Sequence, residues 1–141
     1  VSPLQPLATL VYLNLSAAAE LRQLTGLQSL LNLRILNLSR CYQLSDLSPL
    51  RNLTHLRSLD LSEGDELTDH SLLPLSQLSQ LQILDLHGCT LLTDASLGLL
   101  SSLQHLHTLD LRGCSISHTN SQSLLQKIPR SEPRRVNRPP R

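Results

Sequence analysis

The chain has 141 residues, enough for one domain of ordinary size. It carries 39 leucines but no Phe, Trp or Met, so its core is filled almost wholly by one side chain, as a single packing environment repeated many times would require. Twelve Lys+Arg against 11 Asp+Glu give a formal charge of +1, which argues against nucleic acid or an anionic membrane as the partner of the whole chain; no apolar run approaches the ~20 residues of a membrane span.

In chain order, Val1 opens inside a repeat. Ser2-Pro3-Leu4 stands 46 residues, or two repeats, before Ser48-Pro49-Leu50. Nothing upstream covers Leu4, Leu7 and Leu10, so the array is expected to be truncated at its N-terminus, as a fragment or a processed chain. The run Leu7 to Ala19 has the apolarity of a signal-peptide core, but no basic residue precedes it and the repeat phase explains it fully. The pattern LxxLxL then recurs five times, with central leucines Leu13, Leu36, Leu59, Leu84 and Leu109 at intervals of 23, 23, 25 and 25 residues.

Within each repeat the period changes. Leu36-Asn37-Leu38 alternates as a strand does, leucine inward and asparagine outward. Leu44, Leu47, Leu50, Leu53 and Leu56 then fall every third residue, which suits 3₁₀ or irregular turns. Ser48-Pro49 reads as a cap followed by proline at the first helical position. In the longer repeats, Leu67-Thr68-Asp69 and Leu92-Thr93-Asp94 place a cap-type residue before an apolar run. Short α-helices are therefore predicted near 95–103 and 119–127, and a poorer one after Asp69, where Pro74 intrudes. The polar stretch Ser115 to Ser123 suits a terminal cap. Residues 129–141 hold five Arg, one Glu and four of the eight prolines, a net of +4 against −3 for residues 1–128. With Val136 as its single aliphatic residue, this tail is expected to be disordered and is read as a solvated terminus rather than a localisation or nucleic-acid patch.

A strand plus a turn or short helix per 23 to 25 residues cannot close a core alone, but stacked copies can. The strands then join in one parallel sheet. The wider helical side makes the stack curve, with the sheet on the concave face and the helices and 3₁₀ turns on the convex face.

Leu33 to Cys41, Leu81 to Cys89 and Leu106 to Cys114 all read LxxLxLxxC, which resembles the leucine-rich-repeat superfamily. The continuations Cys41-Tyr42-Gln43-Leu44-Ser45-Asp46 and Cys89-Thr90-Leu91-Leu92-Thr93-Asp94 resemble its cysteine-containing subtype, best known from F-box leucine-rich-repeat proteins. The resemblance spans roughly residues 4 to 128 and contains no F-box. It implies an α/β solenoid and a protein-interaction function, plausibly the substrate-recognition repeats of an intracellular ubiquitin-ligase receptor in the cytoplasm or nucleus. The alternatives are the ligand-binding array of an immune or receptor-type protein and a non-catalytic scaffold. Two features depart from the subtype. Leu61-Ser62-Glu63-Gly64 has glycine at the cysteine position, and the 23-residue repeats are shorter than usual, more like those of bacterial and phosphatase-regulator proteins.

The cysteines occupy the turn after the strand, where a small buried side chain can satisfy loop backbone groups. With no CxxC or HxxxH spacing, neither zinc nor any other cofactor is expected, and free buried thiols fit a reducing compartment. Function is expected on the outward strand positions. Asn14, Asn37, Asp60, Asp85 and Asp110 stand between the paired leucines; Tyr12, Ile35, Ser58, Ile83 and Thr108 come before them. After the second leucine follow Ser16, Ser39, Ser62, His87 and Arg112. The candidate protein-binding set is Tyr12, Ile35, Asp60, Ile83, Asp85, His87, Asp110 and Arg112. The aspartates are expected to form a solvated ladder, partly neutralised by Arg112 and His87, that suits a Lys- or Arg-bearing protein partner. Repulsion between neighbours in water at ~5.5 Å is only about 0.75 kcal/mol. Ser62, His87, Asp85 and Asp110 share this face, but strand amides paired to neighbouring strands leave no oxyanion donors, and no phosphate loop is present, so no catalytic, metal or small-molecule site is predicted. Asn14-Leu15-Ser16, Asn37-Leu38-Ser39 and Asn52-Leu53-Thr54 match glycosylation sequons, two of them as by-products of the strand pattern.

Overall fold

Alternating leucines make five three-residue strands in the computed structural model, which describes residues 8–128: β1 Tyr12–Asn14, β2 Ile35–Asn37, β3 Ser58–Asp60, β4 Ile83–Asp85 and β5 Thr108–Asp110. They pair in sequence order into one parallel sheet. The register aligns Leu13, Leu36, Leu59, Leu84 and Leu109 in a single row, with no slip where the repeat lengthens from 23 to 25 residues. The two extra residues are therefore absorbed on the helical side. Residues 1–7 and the basic tail 129–141, with the disorder expected of it, lie outside the described residues.

The third-residue leucines do form 3₁₀ turns. Leu44, Leu47, Leu50, Leu53 and Leu56 are all buried, around the 3₁₀ segment Ser48–Asn52. Each such leucine removes its whole side chain from water, worth ~1.5–3 kcal/mol against an exposed one. Further 3₁₀ segments cover Leu27–Ser29, His70–Gln77 and Asp94–Ser96. Pro74 sits inside His70–Gln77, and the segment stays 3₁₀, since proline supplies no amide to an i−4 carbonyl. The helix predicted near 95–103 is shorter than expected: the 3₁₀ turn Asp94–Ser96 leads into α1, Leu97–Ser101. The helix predicted near 119–127 is α2, His118–Leu125, whose N-cap Ser117 accepts from Asn120 N–H.

Two capping expectations need correction. Ser48 is not the cap of its segment; Asp46 Oδ1 accepts the Ser48 N–H at 2.9 Å, because an acceptor two residues earlier reaches that amide. Thr93 caps its own turn through Ala95 N–H, as expected, but Asp69 and Asp94 reach forward into the next repeat. Asp69 accepts from Thr93 N–H at 2.8 Å and from its hydroxyl at 2.6 Å, and Asp94 accepts from Ser117 N–H at 2.7 Å and Asn120 Nδ2 at 2.9 Å. These carboxylates stitch the longer repeats together on the side away from the sheet.

Candidate functional site: the sheet face and its turns

Every strand ends in the same turn. The residue two places after the second leucine takes a left-handed conformation in all five repeats: Ala17, Arg40, Glu63, Gly88 and Gly113 have φ of 60°, 60°, 57°, 73° and 79°. That conformation turns its amide towards the next repeat. Ala17, Arg40, Glu63 and Gly88 donate to the carbonyls of Ser39, Ser62, His87 and Arg112 at 2.6 to 2.8 Å.

The Asn/Asp ladder closes these turns. Oδ1 of Asn14, Asn37, Asp60, Asp85 and Asp110 accepts the amide of Ser16, Ser39, Ser62, His87 and Arg112 at 2.8 to 3.0 Å. The aspartates are not the solvated face that the sequence suggests. Asp60, Asp85 and Asp110 are only 4%, 6% and 3% exposed, since each sits between in-register neighbours on adjoining strands and folds back on its own turn. Part of the acidic ladder is thus structural, doing with a carboxylate what Asn14 and Asn37 do with an amide.

Burial separates these carboxylates chemically. It pushes Asp85 up to about 6, against the opposing hydrogen bond from His87 N–H, and the charges of Asp60 and Asp110 on either side add to the rise. At an effective dielectric of ~20, a pair ~5.5 Å apart repels by about 3 kcal/mol, several times its value in water. Asp110 goes the other way. Burial alone raises it, but the Arg112 guanidinium, the Arg112 amide and the attendant charge outweigh that and hold it below the usual carboxylate range. Arg112 is forked onto Asp110 with contacts of 2.7 to 3.2 Å. The expected neutralisation by Arg112 therefore falls on Asp110.

Of the remaining candidates, Tyr12 and Ile35 are exposed neighbours in register, 47% and 37% accessible, with Val11 beside them at 46%. Ile83 is half-buried. Ser58, in register between Ile35 and Ile83, is buried, so the face dips there. His87 is half-buried, and its Nδ1 is a buried atom with no hydrogen-bond partner among the described residues. The hydroxyl of Ser62 donates to Asp60 Oδ1 at 2.6 Å, and the His87–Ser62 hydrogen bond that a nucleophilic pair would need is not formed. The described residues contain no cluster of His, Cys, Asp and Glu suited to a metal ion.

The cysteine turns explain themselves. Cys41, Cys89 and Cys114 are free thiols whose Sγ–H donates to the carbonyls of Leu15, Leu61 and Leu86 at 3.3, 3.1 and 3.1 Å, one repeat back in each case. Burial raises the Cys41 thiol, and pushes Cys89 up to about 12 and Cys114 up to about 11. Gly64 departs from the pattern because a Cβ there would lie 2.6 Å from Leu67 Cδ1; the leucine already fills the cysteine's space.

Repeating parallel strands, a leucine row, and helical or 3₁₀ returns on the opposite side define a leucine-rich-repeat solenoid, a fold whose members are generally non-catalytic interaction modules. Three solved structures share it. An internalin C2 from Listeria monocytogenes matches at 24% identity and a TM-score of 0.56, over 77% of this chain and 45% of that one. A leucine-rich-repeat protein of Leptospira interrogans matches at 26% identity and 0.52, over 72% and 26%, and a second Listeria monocytogenes internalin at 21% and 0.52, over 91% and 48%. The chain thus spans less than half the length of each. No family model matches the chain, and no curated protein matches it in sequence. Among the described residues no helix is long and apolar enough to cross a membrane.

Proposed function

We propose that this array is an intracellular protein-binding module, the substrate-recognition repeats of a ubiquitin-ligase receptor, and that its partner lies across the concave sheet. The supporting observation is the common register: one face offers the same backbone geometry at each of five rungs, so a partner can engage several repeats at once. Tyr12, Ile35, Ile83, His87 and Arg112 are the side chains on that face that a partner would meet, with Asp60, Asp85 and Asp110 beneath them. The cysteine turns favour the F-box-associated subtype over the other readings, because each thiol takes up a carbonyl of the preceding repeat.

The test places a photo-crosslinking amino acid at Ile83 or His87 in the full-length protein, and at Gln80 or Gln104 as convex controls. Crosslinks confined to the sheet positions, to a protein that accumulates when the proteasome is inhibited, support the proposal. Crosslinks concentrated at the controls overturn the concave site. A partner whose level ignores proteasome inhibition overturns the ligase role.

A further inference from the structure

The charge that the sheet shows to solvent at its N-terminal end is opposite to the charge it buries further along. Arg34 and Arg57 stand at the leading ends of β2 and β3 and are exposed. They occupy successive rungs: Arg34 N–H donates to Val11 O at 2.8 Å, and Arg57 N–H donates to Arg34 O at 2.8 Å. The ion pairs among the described residues, Arg40 with Glu63 and Arg112 with Asp110, leave both guanidiniums out, and neither makes a side-chain hydrogen bond. Beside them lie the exposed apolar side chains Val11, Tyr12 and Ile35.

We propose that this end of the sheet docks an acidic segment of a partner protein, one carrying an aliphatic or aromatic side chain next to its carboxylates. This rests on the concave reading above and adds the chemistry of the partner to it. Guanidiniums without partners are ready to fork onto carboxylates, and a strand spacing of ~4.8 Å lets the two arginines act on neighbouring acids. The apolar group then has Val11, Tyr12 and Ile35 to cover, removing from water surface that the fold leaves open. The buried aspartates do not compete, since their Oδ1 atoms are engaged with their own turns.

The test is fluorescence anisotropy of the whole chain with three short labelled peptides: glutamates interrupted by leucines, lysines interrupted by leucines, and glutamates alone. The glutamate–leucine peptide should bind most tightly and weaken with added salt, as charges exposed to solvent do. Arg34→Glu with Arg57→Glu should reduce its affinity about tenfold or more and transfer the preference to the lysine–leucine peptide. Ile35→Ser should weaken the glutamate–leucine peptide while leaving the all-glutamate peptide unchanged. Arg51→Glu with Lys127→Glu, cations away from this face, should change nothing. Equal loss in that control, a native preference for lysine, or no binding of any peptide overturns the proposal. If it falls while crosslinks still concentrate on Ile83 and His87, the concave site stands and only the partner chemistry is wrong.

Discussion

The first two repeats and the last three solve the same turn with different chemistry. Asn14 and Asn37 close their turns with a neutral amide; Asp60, Asp85 and Asp110 do so with carboxylates that the stack buries. The left-handed residue is Ala, Arg or Glu in the first three turns and Gly in the last two. The return path is 3₁₀ alone in the early repeats and includes α-helix in the last two. One backbone register tolerates all of this, because the leucine row supplies the driving force and the turn needs only an acceptor at one atom and a permitted φ.

The largest expected effect breaks the row itself. Leu59→Ala or Leu84→Ala leaves a cavity between two neighbours and should destabilise by roughly 2–5 kcal/mol. Leu13→Ala, in the partly buried first strand, should cost less than half as much. Urea unfolding of the three variants checks this; equal losses would mean that the first repeat is packed as tightly as the middle.

Next comes the left-handed position. Gly113 has φ of 79°, and a Cβ there would lie 3.2 Å from the Gly88 Cα and N. Gly113→Ala should therefore destabilise by about 1–2 kcal/mol or slightly more. Arg40→Gly relieves the same strain but frees the unfolded chain and breaks the pair with Glu63, so it should stay within about 0.5 kcal/mol of neutral. Comparable losses for both in thermal unfolding would show that the two turns are not equivalent.

The leucine periods carried the fold: the strands, the register and the 3₁₀ returns all follow from where leucine recurs. The thiols also behave as their place after the strand suggested. What escaped the sequence was set by neighbours two dozen residues away. Nothing local marks Asp69 and Asp94 as latches onto Thr93 and Ser117, since each also reads as a cap for its own helix. Nor does alternation alone reveal that Asp85 is buried. Its position is outward by pattern, and burial comes from the close approach of adjoining rungs. The free cations Arg34 and Arg57 were visible only as two charges until the ion pairs of Arg40 and Arg112 set them apart.

The aspartates supply a pH-dependent test of the difference between the halves. Asp85 is held at about 6 in the folded chain, above the ordinary carboxylate value of 3.8. A raised folded value means that its contribution is fully favourable below pH ~4 and is lost as pH rises through about 6. The loss is bounded at about 3 kcal/mol, and solvent screening brings it nearer 1–2 kcal/mol. Asp85→Asn keeps an Oδ1 for the His87 amide and removes the charge, so it should stabilise the chain by that amount at neutral pH and not at pH 4. Asp110, held low by Arg112, runs in reverse: its stabilisation is present above the ordinary carboxylate value and lost on acidification, so Asp110→Asn should destabilise at neutral pH, by under ~1 kcal/mol. Opposite signs for the two variants in urea unfolding at neutral pH are the expected result.

The smallest effect sharpens the comparison by moving the carboxylate into the asparagine half. Asn37 lies in register beside Asp60, and its Oδ1 accepts the Ser39 amide at 2.9 Å. Asn37→Asp preserves that bond, since a carboxylate oxygen accepts as well as an amide oxygen does. It adds a fourth charge to the ladder at a half-buried site, where water screens the pair far better than at Asp85. The variant should therefore destabilise by under ~1 kcal/mol at pH 7, close to the ~0.75 kcal/mol of a solvated neighbour pair. Repulsion from Asp60 raises the new group in the folded state, so the loss should disappear once acidification protonates it there. A loss as large as the gain from Asp85→Asn would mean that the first repeats are as closed to water as the last, and that the choice of asparagine there is imposed by burial rather than tolerated by exposure.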